Sequence, residues 1–314
     1  MITAIRNETG VFVITWIINN ICNRACNYCP TNLHAGGNHH YDWSHAEAFA
    51  DLIISKHKDI HLVISGGEPT MSPWLPDLIK KFTNHGHTVG LTSNGVRTIR
   101  YYEELAPMLR YLCLSWHPDP EDADFLDKAH AASQHCLTKI NLMMPADHWE
   151  KSVVMYELLK STNLIWDPVR ITQWHDQPRG LASMAYTEQQ LEWFVSNSGS
   201  IPTWDIIKKY PQQINTPTPL NSKILTDQGE ARLDPIWLIN TDQNSFKGWK
   251  CSQGLESLFL QYTGEIGMSN CGQNRNIGWI QDLDLVKWPE KDQICELDRC
   301  HCVTDIYLSK QRPS

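Results

Sequence analysis

The stretch Ile21-Cys22-Asn23-Arg24-Ala25-Cys26-Asn27-Tyr28-Cys29-Pro30 places three thiols on one short segment, separated by three residues and then two. Cubane iron–sulfur clusters are held by cysteine thiolates at such close spacing. Three thiolates leave one iron without a protein ligand, open to a substrate or cofactor, much as a catalytic zinc keeps one position free. A zinc knuckle is the competing reading of the same cysteines, with His34, His39 or His40 available to complete a tetrahedron.

Just upstream, residues 11–18 (VFVITWII) are β-branched and almost continuously apolar, the pattern of a parallel strand covered on both faces. The cysteine segment therefore leaves the C-terminal end of a first strand. A second run, His61 to Ser65, ends in Gly66-Gly67-Glu68-Pro69, and a third, Thr88 to Thr92, ends in Ser93-Asn94-Gly95. Glycines at a strand end let backbone approach a ligand closely, because they lack a Cβ. Strand-like runs at 11–18, 60–65, 87–92, 110–116, 137–143 and 168–173 alternate with helix-like stretches at 44–57, 74–84, 101–108, 121–134 and 149–160. Such alternation predicts an α/β fold with a parallel sheet, outer helices and right-handed crossovers. Periodicity alone leaves a barrel and a doubly wound sheet both open.

Taken together, these motifs make residues 11–175 resemble the core of the radical S-adenosylmethionine (radical SAM) enzymes. That family's signature is three cysteines at this spacing with an aromatic before the third, met here by Cys22, Cys26, Tyr28 and Cys29. The resemblance implies a partial (β/α)6 TIM-like barrel in which Cys22, Cys26 and Cys29 carry a catalytic [4Fe-4S] cluster. The open iron would chelate the amino and carboxylate groups of S-adenosylmethionine. It also implies that Gly66, Gly67 and Glu68, with Pro69 behind them, pair with the methionine amino group, and that backbone beside Tyr28 contacts adenine. Ser93, Asn94, Ser115 and His117 fall to the ribose and carboxylate region.

Past residue 175 the pattern changes. Pro202, Pro211, Pro217 and Pro219 interrupt any long periodic element, which predicts a linker over 198–222 between a core at 1–197 and a small domain at 223–314. Turns at Thr226–Gly229 and around Thr263-Gly264 suggest short hairpins. Half of the ten cysteines, Cys251, Cys271, Cys295, Cys300 and Cys302, fall in the last fifth of the chain. No basic-then-apolar signal segment opens the sequence, so a thiolate metal site is preferred to disulfides. This tail resembles the "twitch" form, related to SPASM domains, of the auxiliary-cluster domain that follows some radical SAM cores. The matching residues are Cys251, Gly264, Cys271 and the terminal cysteine group. The gap from Gly264 to Cys271 is longer than usual, and the familiar two-residue cysteine pair is missing. The resemblance implies a second [4Fe-4S] cluster held by four of the five thiols: Cys251, Cys271 and Cys302, with Cys295 and Cys300 as alternatives for the fourth. A zinc ribbon is the competing reading.

Composition bounds the rest. A chain of 314 residues with a net charge of −8 and no lysine-rich run lacks the footprint of a nucleic-acid binder. No apolar run approaches the ~20 residues of a membrane helix, so a soluble, cytoplasmic protein is expected. Cys113 and Cys136 read as inert buried thiols, and most of the thirteen tryptophans as core. Trp116, Trp166 and Trp174 stand near strand ends, where they would line a pocket; His117, Arg170 and His175 share that location, to bind a polar substrate or move a proton, with structural hydrogen bonding as the alternative reading.

The implied activity is reductive cleavage of S-adenosylmethionine to a 5'-deoxyadenosyl radical, which then takes hydrogen from the substrate. An external one-electron donor such as flavodoxin or ferredoxin would supply the cluster. The first strand begins within about a dozen residues of the start, leaving no leader-peptide domain, so a polar small molecule of the sugar, aminocyclitol or nucleotide type is preferred. A peptide-modifying maturase, performing cross-linking, epimerisation or oxidation, is the alternative. A non-catalytic iron–sulfur electron carrier would leave Gly66-Gly67-Glu68 without a purpose.

Overall fold

The computed structural model describes residues 2–36, 41–119, 122–171, 185–197, 222–233, 235–240, 243–271, 273, 276–300 and 302–313. His39, His40, Trp174, His175 and the proline-rich stretch 198–221 lie outside the described residues.

The first half is built on β1 (Ile2–Asn7), β2 (Phe12–Ile17), β3 (Ile60–Ser65), β4 (Thr88–Ser93), β5 (Tyr111–Trp116), β6 (Leu137–Met143) and β7 (Ile165–Val169). Between successive strands from β2 onward lie α1 (Trp43–Lys56), α2 (Leu75–Thr83), α3 (Ile99–Leu105), α4 (Phe125–Ser133) and α5 (Trp149–Lys160). Strands β2 to β7 pair in parallel, each with its successor. This is the predicted succession of βα units. The helix ends follow from capping chemistry: Asp42 accepts from His45 N at the start of α1, and Thr98 accepts from Tyr101 N at the start of α3.

One boundary differs from the sequence reading. The sixth strand of the βα succession spans Ile165–Val169, not 168–173, and has Pro168 as its fourth residue. Because β7 is the free edge of its sheet, the missing proline N–H breaks no ladder.

The tail adds β8 (Ser222–Thr226), β9 (Gly229–Arg232), β10 (Lys250–Cys251), β11 (Ser257–Leu260), β12 (Glu265–Gly267), β13 (Gly278–Trp279), β14 (Gln293–Ile294) and β15 (Lys310–Gln311). The expected turns close the hairpins β8–β9 and β11–β12, the second through Gly264 at φ 91°. The pairing beyond these hairpins was not foreseen. Strand β11 pairs in parallel with β2, so the main sheet runs β13-β12-β11-β2-β3-β4-β5-β6-β7 and stays open. Strand β1 crosses the other way and joins β14, β10, β15, β8 and β9 in a second sheet.

Lying inside the main sheet, β2 has all six residues buried, which is why its sequence reads as a continuous apolar run. Phe12, Ile14 and Trp16 point toward the helices. Trp16 is fully buried, packs edge-on against Phe49 at 5.4 Å, and donates its indole N–H to Tyr41 Oη at 2.7 Å. Trp116 and Trp166 belong to this helix-side packing too: Trp116 is buried in the core, and Trp166 meets the α5 residue Tyr156 edge-on at 5.0 Å. Neither therefore lines a pocket on the inner face.

Replacing Trp16 with Ala should lower unfolding free energy by about 3–5 kcal/mol, through lost transfer energy and a residual cavity. Urea unfolding checks this. A loss below about 1 kcal/mol, the scale of a surface substitution, would place the core elsewhere.

Candidate active site

The cysteine loop follows β2. Cys22, Cys26 and Cys29 are free and half-buried, and the loop is turned by the Cys29 N–H donating to Cys26 O at 3.0 Å. Burial, then the charges of Cys26 and Cys22, push the Cys29 thiol up to about 12. Burial again leads, ahead of Glu68 and Cys26, in raising Cys22. A cation beside Cys22 and Cys29 would favour their thiolates, and soft thiolates select iron or zinc. Among the described residues no three His, Cys, Asp or Glu side chains converge on a single ion position.

Beneath this loop lies the end of β3. Gly67 N–H donates to Asn19 O at 2.9 Å and Glu68 N–H to Ile21 O at 2.7 Å, while Asn19 Nδ2 returns a bond to Glu68 O at 3.0 Å. A Cβ on Gly67 would stand 2.4 Å from both Ile21 O and Leu33 O, and one on Gly66 2.9 Å from Asn19 O. The bare glycines therefore serve a close approach to the cysteine loop itself, a partner the sequence did not name.

Glu68 ties in the third strand. Its side chain is fully buried. Oε1 accepts from Ser93 Oγ at 2.8 Å and from Thr70 N at 3.0 Å, and Oε2 accepts from Asn94 N at 2.7 Å. Burial raises its pKa against these bonds. Pro69 then starts a short 3-10 turn that Glu68 caps. Asn94 reaches back to the loop, donating through Nδ2 to Asn23 Oδ1 at 2.8 Å and to Cys22 Sγ at 3.5 Å.

From the end of β5, His117 Nδ1 lies 2.6 Å from Tyr28 Oη and 3.6 Å from Cys26 Sγ, with the Tyr28 and His117 rings parallel within 10°. Burial, helped by the Arg24 charge, lowers His117 to about 3, so its imidazole is neutral. Ser115 sits two residues earlier on β5, opposite Asn141 of β6. Past β6, Asp147 Oδ2 accepts from Asn27 Nδ2 at 2.7 Å. Thus β3 and β4, the segment after β5 and the segment after β6 all touch one loop. Sequence reasoning missed Asn19, Asn23, Asn27 and Asp147; polar residues at strand ends were the only available signal.

The tail cysteines form a second group. Cys251 ends β10, Cys302 caps the short helix Val303–Ile306, and Cys251, Cys295, Cys300 and Cys302 are buried. Asn270 Nδ2 donates to Cys302 Sγ at 3.1 Å, and Ser269 Oγ lies 3.0 Å from Cys271 Sγ, so the Cys271 loop meets the Cys302 turn. Burial pushes Cys271 up to about 12, with Asp305 and Cys251 adding to it, and Cys300 rises through burial with Asp305, Cys271 and Cys251 contributing. Thr304 Oγ1 lies 2.9 Å from Cys302 Sγ and 3.5 Å from Thr15 Oγ1 on β2, which links this group to the main sheet. Cys113 and Cys136 are buried thiols in the main sheet and its approach, as read from the sequence.

Changing Glu68 to Gln leaves at least one of the Thr70 and Asn94 backbone N–H groups facing an amide N–H. It should cost about 1.5–3 kcal/mol in urea unfolding, the scale of a hydrogen bond to a charged group. Unchanged stability would mean that this carboxylate does not clamp the loop.

Residues 16–142 match the Radical SAM superfamily. Among solved structures, the chain is similar to anSMEcpe with bound AdoMet and Cp18Cys peptide, at 13% identity and TM-score 0.56, covering 87% of this chain and 79% of that one. It is also similar to Streptococcus suis SuiB, at 12% identity and TM-score 0.51, over 88% of this chain and 65% of that one. SuiB bound to S-adenosylmethionine gives a TM-score of 0.52 at 10% identity, over 85% of this chain and 63% of that one. The chain thus spans a little under two thirds of the length of SuiB. No curated protein matches it. The family match begins inside β2 and ends inside β6, so the stretch that carries the similarity to the Radical SAM superfamily takes in the whole cysteine loop, the Gly66–Pro69 segment, Asn94 and His117.

Proposed function

We propose that the enzyme oxidises a polar small molecule, using Cys22, Cys26 and Cys29 for the S-adenosylmethionine cluster and the tail thiols for a second [4Fe-4S] cluster. Held by Cys22, Cys26 and Cys29, a [4Fe-4S] cluster with S-adenosylmethionine would supply the radical chemistry for taking hydrogen from the substrate. The chain's own task is to place and shield. Glu68 holds the Gly66–Pro69 segment and Asn94 against the loop, which fixes the side on which methionine would sit. Tyr28 and neutral His117 close the other side, at Cys26. For the tail, Cys251, Cys271 and Cys302 are the ligands we favour, with Cys300 or Cys295 as the fourth: Cys300 feels the charges of Cys251 and Cys271, and Cys251 feels that of Cys295. An outside one-electron carrier of the flavodoxin or ferredoxin type fits the need for a reductant. Among the described residues no helix is long and apolar enough to cross a membrane.

The observation that carries the small-molecule reading is the inner face of the open sheet. Ile140 and Leu142 pack toward the helices, so Lys139 and Asn141 of β6 face inward, and Lys139 pairs there with Asp167 of β7. A fixed ion pair beside Ser115 and Asn141 suits a compact polar substrate. The peptide reading has one observation in its favour: anSMEcpe, similar in fold, was solved with a peptide bound.

Anaerobically reconstituted protein should hold about eight irons and release 5'-deoxyadenosine with dithionite and S-adenosylmethionine. The triple variant Cys22→Ala, Cys26→Ala, Cys29→Ala should keep about four irons and release none. The low-molecular-mass fraction of a cell extract should stimulate release; stimulation by the peptide fraction alone would favour the second reading. Full iron loading without 5'-deoxyadenosine would refute the assignment of the loop.

A further inference from the structure

Among the described residues of the tail, Lys310 is the one buried cation. It lies on β15, is 3% exposed, and stands directly opposite Cys251 of β10 in the antiparallel register, so the two side chains share a face. Its Nζ donates to the backbone carbonyls of Asp305, Ile306 at 3.3 Å and Leu308 at 3.1 Å, and lies 5.3 Å from the centre of the Phe246 ring. Three protons meet three carbonyls. The ammonium is thus anchored as a positive charge, with no proton left to donate to a thiolate. Its counterpart is Asp305, 4% exposed. Asp305 Oδ1 accepts from Asn270 N at 3.3 Å, and its Oδ2 is buried without a hydrogen-bond partner in the structure. Asn270 also donates to Cys302, so the carboxylate stands on the Cys302 side of the thiol group and the ammonium on the Cys251 side. Burial works against the Lys310 charge, while Cys251, Cys300 and Asp305 support it.

Resting on the reading of the tail as a second cluster site, we propose that Lys310 and Asp305 are opposed electrostatic residues that set how readily that cluster accepts an electron. Adding an electron to a group already carrying four thiolates builds negative charge in a poorly screened interior. A fixed cation there favours reduction, and a buried carboxylate opposes it. The electron in question is the one left on the substrate once a hydrogen atom has gone to the deoxyadenosyl radical. Its departure, with a proton released to water, completes a two-electron oxidation.

The test uses the full chain with Cys22, Cys26 and Cys29 changed to Ala, so that only the tail cluster titrates, followed by electron paramagnetic resonance at pH 8. At a fixed poise, Lys310→Met should lower the ratio of reduced to oxidised cluster about tenfold, equivalent to ~59 mV for a one-electron couple. Asp305→Asn should raise it. If Lys310→Met takes up no iron, Asp305→Asn decides alone: a rise supports the proposal and an unchanged ratio overturns it. Shifts of the same sign in both variants would reveal structural loosening and overturn it, as would two unchanged ratios. A parent protein that takes up no iron would overturn the second-cluster reading itself, and this proposal with it. The two failures are therefore distinguishable.

Discussion

A carboxylate with no access to water organises the mouth of the main sheet. Glu68 takes three donors, two from the end of β4 and one from its own following turn, and its backbone is bonded to the cysteine loop through Asn19 and Ile21. Burying a charged group without such partners would be prohibitively costly, so the residues around it have little freedom. Removing the side chains of Gly66 and Gly67 is part of the same constraint, since the two backbones meet closer than a Cβ allows. The position of the three thiols then follows from the positions of β3 and β4 beneath them.

The tail is coupled to this arrangement by the sheets. Strand β11 lies against β2, whose end becomes the cysteine loop, and the Thr304–Thr15 contact comes from the turn that holds Cys302. In return, β1 from the start of the chain supplies the strand between β8 and β15. Neither sheet is made from one continuous segment. The two cysteine groups are therefore joined through β2.

How much of this could be read in advance depends on the range of the interactions. The parallel strands were legible because burial on both faces leaves an unbroken apolar run, as in 12–17, and the cysteine loop because its spacing is local chemistry. The glycine-rich segment was legible as a motif, yet its immediate partner was not, since the contact of Gly67 with Leu33 O crosses more than thirty positions. Strand β1 was missed because only Ile5 of it is buried and its partners lie in the last third of the chain. Pro168 displaced the expected last strand, since a proline reads as a boundary unless the strand is known to be an edge. Lys310 gave no sequence signal: a lysine near the chain end is ordinarily solvated, and only the register with Cys251 sets it apart.

The central claim is that the three-cysteine loop leaves one iron open for S-adenosylmethionine. Electron–nuclear double resonance on the reduced protein, with S-adenosylmethionine carrying ¹⁵N in its amino group and ¹⁷O in its carboxylate, measures this directly. The account predicts hyperfine coupling from both labels, lost in the Cys22→Ala, Cys26→Ala, Cys29→Ala protein. A fully formed cluster that shows coupling from neither label would contradict it.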